Sequence, residues 1–457
     1  MFDLSSKFVS DALSILCNEF KNNNRIDPYF YEKYHVKRGL RNDDGTGVLA
    51  GLTRICTVKG YLINDAERMP MEGQLIYRGY DINDIINSCE SENRFCFEEA
   101  CWLLIFGTLP TREQLHRFTE LLGQLRELPP YFAEDMIFKA PSKNIMNKMA
   151  RSVLALYSYD DTDPEDNSVE ALIRQSLQLI ARMPNIMNCA YQVKRRHFDK
   201  KSMYFHPINP NHSTAEMILS TTRATREFTD EEAKLLDICL TLHAEHGGGN
   251  NSTFTTRVMS SAGTDTYSAI AAAIGSLKGS RHGGANMRVT AQLNAAKKYI
   301  KNPFDDSQIE DFVRKIIRKE LGDGSGLVYG MGHAVYTLSD PRAKILKAHA
   351  KSLAEKKGFG EEFAILDGIE RLTAQVFKEE KGSDKPICAN VDLYSGLVYQ
   401  TLGLPADLYT PLFAVARVAG WCAHRIEEVH TGGRIMRPAY KSVYSNILPY
   451  TPIDERK

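Results

Sequence analysis

The chain has 457 residues, of which 43% are hydrophobic and 25% charged, a composition typical of a soluble globular protein. This length exceeds what one hydrophobic core usually supports, so we predict two lobes. Lys plus Arg and Asp plus Glu are equal at 57 each, so no overall electric field draws the chain to nucleic acid or an anionic membrane. We therefore expect neither partner, and a local cationic cluster must hold any anionic ligand.

The cysteines and the first residues indicate the compartment. The nine cysteines are scattered and never closer than five positions apart, which argues against a disulfide framework and against a CxxC site. The first residues lack a basic stretch followed by an apolar run, and no segment has the roughly 18 to 20 apolar residues that span a bilayer. We expect a cytoplasmic protein.

Most of the chain is predicted to be helical. A short opening helix precedes a polar, turn-rich arm at 22–48, and β-branched and aromatic residues at 53–78 predict two or three short strands. Ser213 with Glu216, and Thr229 with Glu232, form capping-box patterns before apolar runs. Further helical patterns cover 95–107, 112–126, 168–194, 266–278, 305–320, 341–357, 361–380 and 411–428. The fold class is mostly α with a small N-terminal β element.

A stripe of buried positions is predicted at 231–246. Leu235, Cys239, Leu242 and His246 follow one another at helical spacing, so they lie on one face of a predicted helix. His246 ends this inward-facing stripe.

Four segments, 243–253, 282–286, 330–342 and 390–396, combine glycines with histidine, aspartate or arginine near predicted helix ends. Taken alone, a histidine beside glycines more often packs in a core than acts in catalysis. His243 and His246 have a spacing that suits a metal, but the HExxH and HxxEH patterns are absent and no third ligand is evident. We therefore predict no metal site.

In this order and spacing, the four segments resemble the citrate synthase family. HGGAN, GxGHxVY followed by DPRA, and NVDxYSG rarely occur together, and the resemblance extends from about Gly73 to Pro438. It implies a two-domain helical fold with a large domain at 1–282 that includes the arm and strands. A small domain follows at 283–393, and 394–457 return to the large domain. It also implies a homodimer with a shared active site.

The resemblance implies that acetyl-CoA and oxaloacetate condense with water to give citrate and CoA, with no cofactor besides the CoA thioester substrate. Asp392 matches the general base at the acetyl-CoA methyl group. His282 matches the histidine that hydrogen-bonds the thioester carbonyl as it becomes an enolate, and His333 the histidine that polarises the ketone. From the residues alone, a helix N-cap is an equal alternative for Asp392.

Four further residues match the family's oxaloacetate site. His246, Arg342, Arg417 and Arg437 are implied ligands of the substrate, the last reaching in from the partner subunit in related enzymes. Guanidinium groups suit this role because they bind carboxylates through two parallel hydrogen bonds. Arg417 stands within an apolar helical run, where an unpaired arginine is costly. For Arg342 and Arg437, a surface salt bridge is an equal alternative from composition alone.

The chain departs from the family pattern at two positions. Thr337 stands where related sequences carry a CoA-binding Lys or Arg, and Gly247 stands where an acidic residue is commoner. Four nearby cations are candidates to replace the phosphate contact: Lys278, Arg281, Arg288 and Lys344.

Several alternatives remain at this point. The nearest is 2-methylcitrate synthase, because one extra methylene in propionyl-CoA changes discrimination by only about 1 to 3 kcal/mol. A citryl-CoA lyase and a metal-dependent hydrolase built on His243 and His246 are others. A non-catalytic CoA-binding regulatory protein is the alternative from another class, which the presence of Asp392 and His282 disfavours.

Overall fold

The computed structural model describes residues 7–64, 67–444 and 446–456. Its residues form two compact units, Met1–Gly51 with Met436–Lys457, and Leu52–Ile435. The first unit holds helices α1 (Lys7–Asn23) and α2 (Tyr29–Lys33), with single 3₁₀ turns at Arg38–Leu40 and Ile453–Glu455. The opening helix is longer than predicted, at 17 residues, because neither Gly nor Pro interrupts the chain before the asparagines that end it.

The second unit begins with an antiparallel sheet in the order β1-β2-β3 (Cys56–Asn64, Glu67–Tyr77, Tyr80–Asp81). Cys56 pairs with Tyr77, and the register shifts between Lys59 and Tyr61, which places an irregularity at Gly60. The predicted strands are therefore confirmed.

Helices make up the rest of the second unit. Periodicity missed α3, α6, α10, α12 and α16. Two of these helices, α10 and α12, follow glycine-rich segments that resemble loops in sequence. The helices are α3 (Ile82–Ser91), α4 (Phe97–Phe106), α5 (Arg112–Gln124), α6 (Ile145–Ala155), α7 (Val169–His197), α8 (Thr214–Thr222), α9 (Asp230–His243), α10 (Asn251–Ser261), α11 (Thr266–Lys278), α12 (Ala285–Tyr299), α13 (Asp306–Ile317), α14 (Pro341–Lys356), α15 (Gly360–Lys381), α16 (Asp392–Thr401) and α17 (Tyr409–His430).

Both capping boxes are present, and they start α8 and α9. Helix α9 ends earlier than predicted, at His243, so His246 lies beyond it, although it is buried as expected. The chain turns there because Gly247 adopts a left-handed backbone with φ of 83°. The Tyr77 hydroxyl of β2 holds this turn, lying 3.0 Å from the carbonyl oxygens of Thr241 and Glu245.

Helix α17 lies at the centre of the core. It packs against α4, α7, α9, α10 and α11, and its side chains are buried from Ala414 to Arg425. Arg417, Trp421 and His424 follow at helical spacing and so share one face of α17. Within the described residues, no helix combines the length and the apolar character that crossing a membrane requires. The inserted small domain at 283–393 stays a prediction.

Candidate active site

Two distant segments join to carry the predicted catalytic groups. The backbone N–H of Gly332 donates to the carbonyl of Cys388 at 2.7 Å, and that of Asn390 donates to the carbonyl of Gly330 at 2.8 Å. Both glycines adopt left-handed backbones, with φ of 86° and 88°, which few other residues tolerate. This pairing brings the loop of His333 beside the start of α16.

Asp392 is the first residue of α16. The N-cap position belongs to Val391, and no side chain caps the helix, so the N-cap alternative for Asp392 is wrong. Burial raises the pKa of Asp392 to about 6, and the positive charges of Arg342 and Arg417 limit that rise. A carboxylate with such a pKa is ionised at neutral pH and basic enough to accept a proton.

Arg342 is buried in a pair with Asp340 at the start of α14. Its Nε and Nη2 atoms donate to the two carboxylate oxygens of Asp340 at 3.0 and 2.7 Å. Only 3% of Arg342 is exposed, so the surface salt bridge is wrong for this residue.

Arg417 is fully buried on α17 and incompletely paired. Its Nε donates to the carbonyl oxygen of His243 at 2.6 Å, and its guanidinium carbon lies 4.7 Å from the centre of the Phe413 ring. Within the part of the chain that the structure describes, Nη1 and Nη2 have no hydrogen-bond partner. Two buried donors of a cation without an acceptor are costly, and a carboxylate would satisfy both.

Two histidine rings, those of His246 and His333, lie close together and nearly perpendicular to each other. The ring centres of His246 and His333 are 5.2 Å apart, and Nε2 of His246 lies 3.2 Å from the hydroxyl of Tyr336. Nδ1 of His333 accepts the backbone N–H groups of Val335 and Tyr336 at 3.0 and 3.1 Å. Because Nδ1 accepts, the proton of a neutral His333 is on Nε2. Burial and the charge of Arg342 lower the pKa of His246 well below its usual value.

His282 contacts a hub formed by Ser252. Its Nε2 lies 3.2 Å from Oγ of Ser252. That oxygen accepts Nε1–H of Trp421 at 3.0 Å and donates to Oδ1 of Asn250 at 2.9 Å. Burial and then the charge of Arg417 lower the pKa of His282 to about 4. His282 is therefore neutral near pH 7 and can act as a hydrogen-bond donor without carrying charge.

Sequence reasoning missed Ser252, Trp421 and Tyr336. The signal for Trp421 was available, because it stands one helical turn after Arg417. No local pattern links Ser252 to α17, which is more than 150 residues further along the chain.

Thr337 binds the β-hairpin. Its hydroxyl donates to the carbonyl of Gly60, and the backbone N–H of Met71 donates to it at 3.3 Å. A Cβ at Gly60 would lie 2.5 Å from the carbonyl oxygen of Val335, and one at Gly73 would overlap the carbonyl oxygen of Ser339. The two strand glycines thus allow the loop after His333 to lie directly on the sheet.

The four basic residues that are candidates to bind the CoA phosphates in place of Thr337 differ in their partners. Arg288 lies over the ring of Tyr329, and Lys344 binds Glu72 at 2.6 Å. Lys278 and Arg281 are exposed, and neither forms an ion pair with another described residue.

Arg437 belongs to the other compact unit, in a segment without helix or strand, and its side chain is exposed. The second unit brings the remaining predicted residues together: His246, His282, His333, Arg342, Asp392 and Arg417. His243 stacks on Phe413 with ring centres 4.1 Å apart. Among residues 7–64, 67–444 and 446–456, no group of three His, Cys, Asp or Glu side chains is placed to hold a metal ion.

The fold is helical, and its site combines a carboxyl of raised pKa, two histidines of lowered pKa and a buried guanidinium with two nitrogens that lack a partner among the described residues. Such a combination is typical of an enzyme site that binds carboxylates. Comparison with known proteins agrees. The model of the citrate synthase C-terminal domain matches residues 43–439. Citrate synthase of Haloferax volcanii is 34% identical over 427 residues, which cover 92% of this chain and 99% of that protein. Citrate synthase of a Synechocystis species is 34% identical over 90% of this chain and 92% of its own.

A solved structure shows the same fold. Citrate synthase of Thermoplasma acidophilum, in a ternary complex with carboxymethyl coenzyme A and oxaloacetate, superposes with a TM-score of 0.74 at 28% identity. The match covers 92% of this chain and 99% of that one. The chain belongs to the citrate synthase family and is an enzyme that forms a carbon–carbon bond. Citrate synthesis is confirmed as the function, and 2-methylcitrate synthesis is not favoured, because these relatives are named citrate synthase.

Proposed function

We propose that the pocket condenses acetyl-CoA with oxaloacetate and water to give citrate and CoA, with the residue roles set out below. The observation that carries the proposal is Arg417, a fully buried guanidinium with two nitrogens that have no hydrogen-bond partner among the described residues. Its charge also limits the rise in the pKa of Asp392. A dicarboxylate substrate supplies acceptors for the guanidinium of Arg417, and a thioester methyl supplies a proton for the carboxylate of Asp392.

The first step forms the nucleophile. Asp392 takes a proton from the methyl carbon of acetyl-CoA. The C–H electron pair forms a carbon–carbon double bond, and the π pair of the thioester carbonyl moves to its oxygen. His282 stabilises the resulting enolate by donating a hydrogen bond. Oγ of Ser252 donates its one proton to Oδ1 of Asn250 in this structure. For His282 to donate from Nδ1 to the enolate, Ser252 must turn that proton to Nε2 of His282 when the substrates bind.

The second step forms the carbon–carbon bond. Nε2–H of His333 polarises the ketone of oxaloacetate and protonates the alkoxide that forms, while Arg342, Arg417 and His246 hold the carboxylates. The proton that Asp392 took from acetyl-CoA then returns Nε2 of His333 to its protonated form, so both groups regain their starting states. The enolate carbon attacks the ketone carbon to give citryl-CoA. Water then cleaves the thioester, and CoA leaves as the thiol. No step needs a bound cofactor or a metal.

We extend the proposal to the assembly. The protein is a cytoplasmic homodimer of the tricarboxylic acid cycle, in which Arg437 of the partner subunit completes the carboxylate cradle. Exposed apolar side chains in the last residues support a partner there, since Tyr440, Ile447 and Tyr450 are 95%, 99% and 86% exposed. The domains at 1–282, 283–393 and 394–457 close over oxaloacetate and keep water from the enolate.

Product analysis tests the proposed reaction. Purified protein is incubated with acetyl-CoA and oxaloacetate, and citrate and free CoA are quantified separately. We expect equal amounts of both products, each dependent on oxaloacetate and unaffected by a chelator. CoA release without oxaloacetate would indicate a simple thioesterase and contradict the proposal.

A further inference from the structure

A chain of buried polar groups adjoins the carboxylate cradle, the cluster formed by His246, Arg342 and Arg417. Arg257 of α10 binds Glu428 at 2.7 Å and also contacts Glu427, and its Nε donates to Nδ1 of His424 at 2.9 Å. On the other side of its ring, His424 lies with Nε2 3.0 Å from Oε1 of Glu245. Glu245 and His424 are both 0% exposed. The chain connects the end of α17 to the residue before His246.

The hydrogen bonds determine where the protons are. Arginine has donors only, so Nδ1 of His424 must be the acceptor in its bond with Arg257. The ring proton is therefore on Nε2, which donates to Glu245, and the carboxylate of Glu245 is the acceptor. Burial opposes ionisation of Glu245, but contacts with His424 and the charge of Arg417 outweigh it and lower the pKa of this carboxyl below its ordinary value. Glu245 is a buried anion.

Glu245 lies close to the arginine that faces the substrate. A Cβ at Gly420 would overlap Oε2 of Glu245, so the absence of a side chain there lets the carboxylate rest against α17. Gly420 is three residues after Arg417, on the same side of the helix. Of the charges around Arg417, that of Glu245 supports its protonated form most strongly. Within the described residues, Oε2 of Glu245 has no hydrogen-bond partner.

We propose that Glu245 is a positioning residue that sets the net charge of the cradle, so that the site holds oxaloacetate but still releases citrate. The inference rests on the proposed function, because it concerns the same anions. Arg342 is already paired with Asp340 through hydrogen bonds, whereas Glu245 acts on Arg417 through its charge alone. Without its charge the cradle becomes more positive and retains its most highly charged ligand, the tricarboxylate product, too tightly.

The test compares Glu245→Gln, which keeps the shape and removes the charge, with Glu245→Asp, which keeps the charge. Binding of citrate and oxaloacetate is measured by titration calorimetry, alongside steady-state kinetics. For Glu245→Gln we expect the citrate Kd to fall about tenfold and that of oxaloacetate to fall less. Both kcat and the KM for oxaloacetate should decrease. Glu245→Asp should stay within about threefold of the unaltered protein for both ligands.

If Glu245 only supports the local structure, the opposite result is expected. Its substitution would then displace the adjacent His246 and weaken citrate binding. Unchanged or weaker citrate binding by a folded Glu245→Gln protein, or the same change in Glu245→Asp, would overturn the inference. The absence of any oxaloacetate or citrate binding by the unaltered protein would overturn the proposed function itself, and the inference with it.

A second pair of variants applies if Glu245→Gln does not fold. His424→Gln keeps an N–H donor toward Glu245 and an acceptor toward Arg257, whereas His424→Met removes both. Without that donor, Glu245 takes up a proton and loses its charge. We expect His424→Met to bind citrate more tightly than His424→Gln, and equal affinities would contradict the inference.

Discussion

Asp340 holds Arg342 by three hydrogen bonds, two to its side chain at 3.0 and 2.7 Å and one to its backbone N–H at 3.0 Å. The same carboxylate therefore caps α14 and orients the guanidinium. An orientation fixed in this way reduces the entropy that the arginine loses when a ligand binds.

The first prediction concerns this pair. Arg342→Lys keeps the charge but loses the planar fork, so it cannot bind Asp340 and a substrate carboxylate together. We expect the Kd of oxaloacetate, measured by calorimetry, to rise about 10- to 100-fold. Arg371→Lys is the matched control, because Arg371 also binds aspartates on a helix but is largely exposed. An unchanged Kd in Arg342→Lys would remove Arg342 from the cradle.

The second prediction concerns Asp392→Asn. The amide cannot accept a proton, so turnover should fall by at least about 10³-fold while the Kd of oxaloacetate changes less than about threefold. Oxaloacetate affinity should change little because the proposed role of Asp392 concerns the acetyl group, and loss of its charge near Arg342 and Arg417 favours anion binding slightly. Equal losses of turnover and oxaloacetate affinity would contradict this role. Asp384→Asn, at an exposed aspartate paired with Lys378, is the control.

The same variant has an effect on stability that depends on pH. The folded-state pKa of Asp392, about 6, lies above the unfolded value, so the folded protein retains a proton that the unfolded chain releases between about pH 4 and 6. The carboxylate therefore lowers the free energy of unfolding as pH rises through this window. We expect Asp392→Asn to raise that free energy by about 3 kcal/mol at pH 7 and to have little effect near pH 4. Urea unfolding at the two pH values measures the difference.

The third prediction concerns Ser252→Ala. Without the hydroxyl, His282 and Nε1–H of Trp421 lose their shared partner, and the ring of His282 is no longer oriented toward the thioester. We expect kcat to fall about 10- to 100-fold with little change in the Kd of oxaloacetate. Thr255→Ala, on the same helix, should be nearly neutral because its hydroxyl donates to the Asn251 carbonyl of that helix in a solvent-exposed hydrogen bond. Wild-type kcat in Ser252→Ala would exclude the orienting role.

The fourth prediction concerns the contact between the sheet and the catalytic loop. Gly60→Ala places a Cβ within 2.5 Å of the Val335 carbonyl oxygen and the Tyr336 Cα atom, so the loop must move. We expect a destabilisation of about 1 to 3 kcal/mol and weaker oxaloacetate binding. Gly275→Ala is the control, since nothing lies within 4 Å of its Cβ position and alanine favours the helix there. Equal stability of the two variants would argue against close packing at Gly60.

Local rules predicted much of the framework. The capping boxes at Ser213 and Thr229 were confirmed, because a hydroxyl and a carboxylate three residues apart satisfy the same amides in any context. The predicted end of α9 was wrong by three residues. A glycine turn and the hydroxyl of Tyr77 end the helix before the apolar periodicity does.

The site likewise contains residues that sequence motifs indicate and residues that only the folded structure reveals. Motif residues such as His282 and Asp392 were assigned by resemblance to the family, and their catalytic roles stay predictions. The hydrogen-bond pairs around the site, Trp421 with Ser252 and His424 with Glu245, join residues that are distant in sequence and meet through packing on α17. Arg437 stays a prediction.

The measurement that tests the central claim most directly is oxaloacetate-dependent release of CoA thiol by the purified protein, with acetyl-CoA and propionyl-CoA compared at matched subsaturating concentrations. We predict faster release from acetyl-CoA, and almost none from either thioester in Asp392→Asn. Faster release from propionyl-CoA, or release that does not require Asp392, would contradict the account.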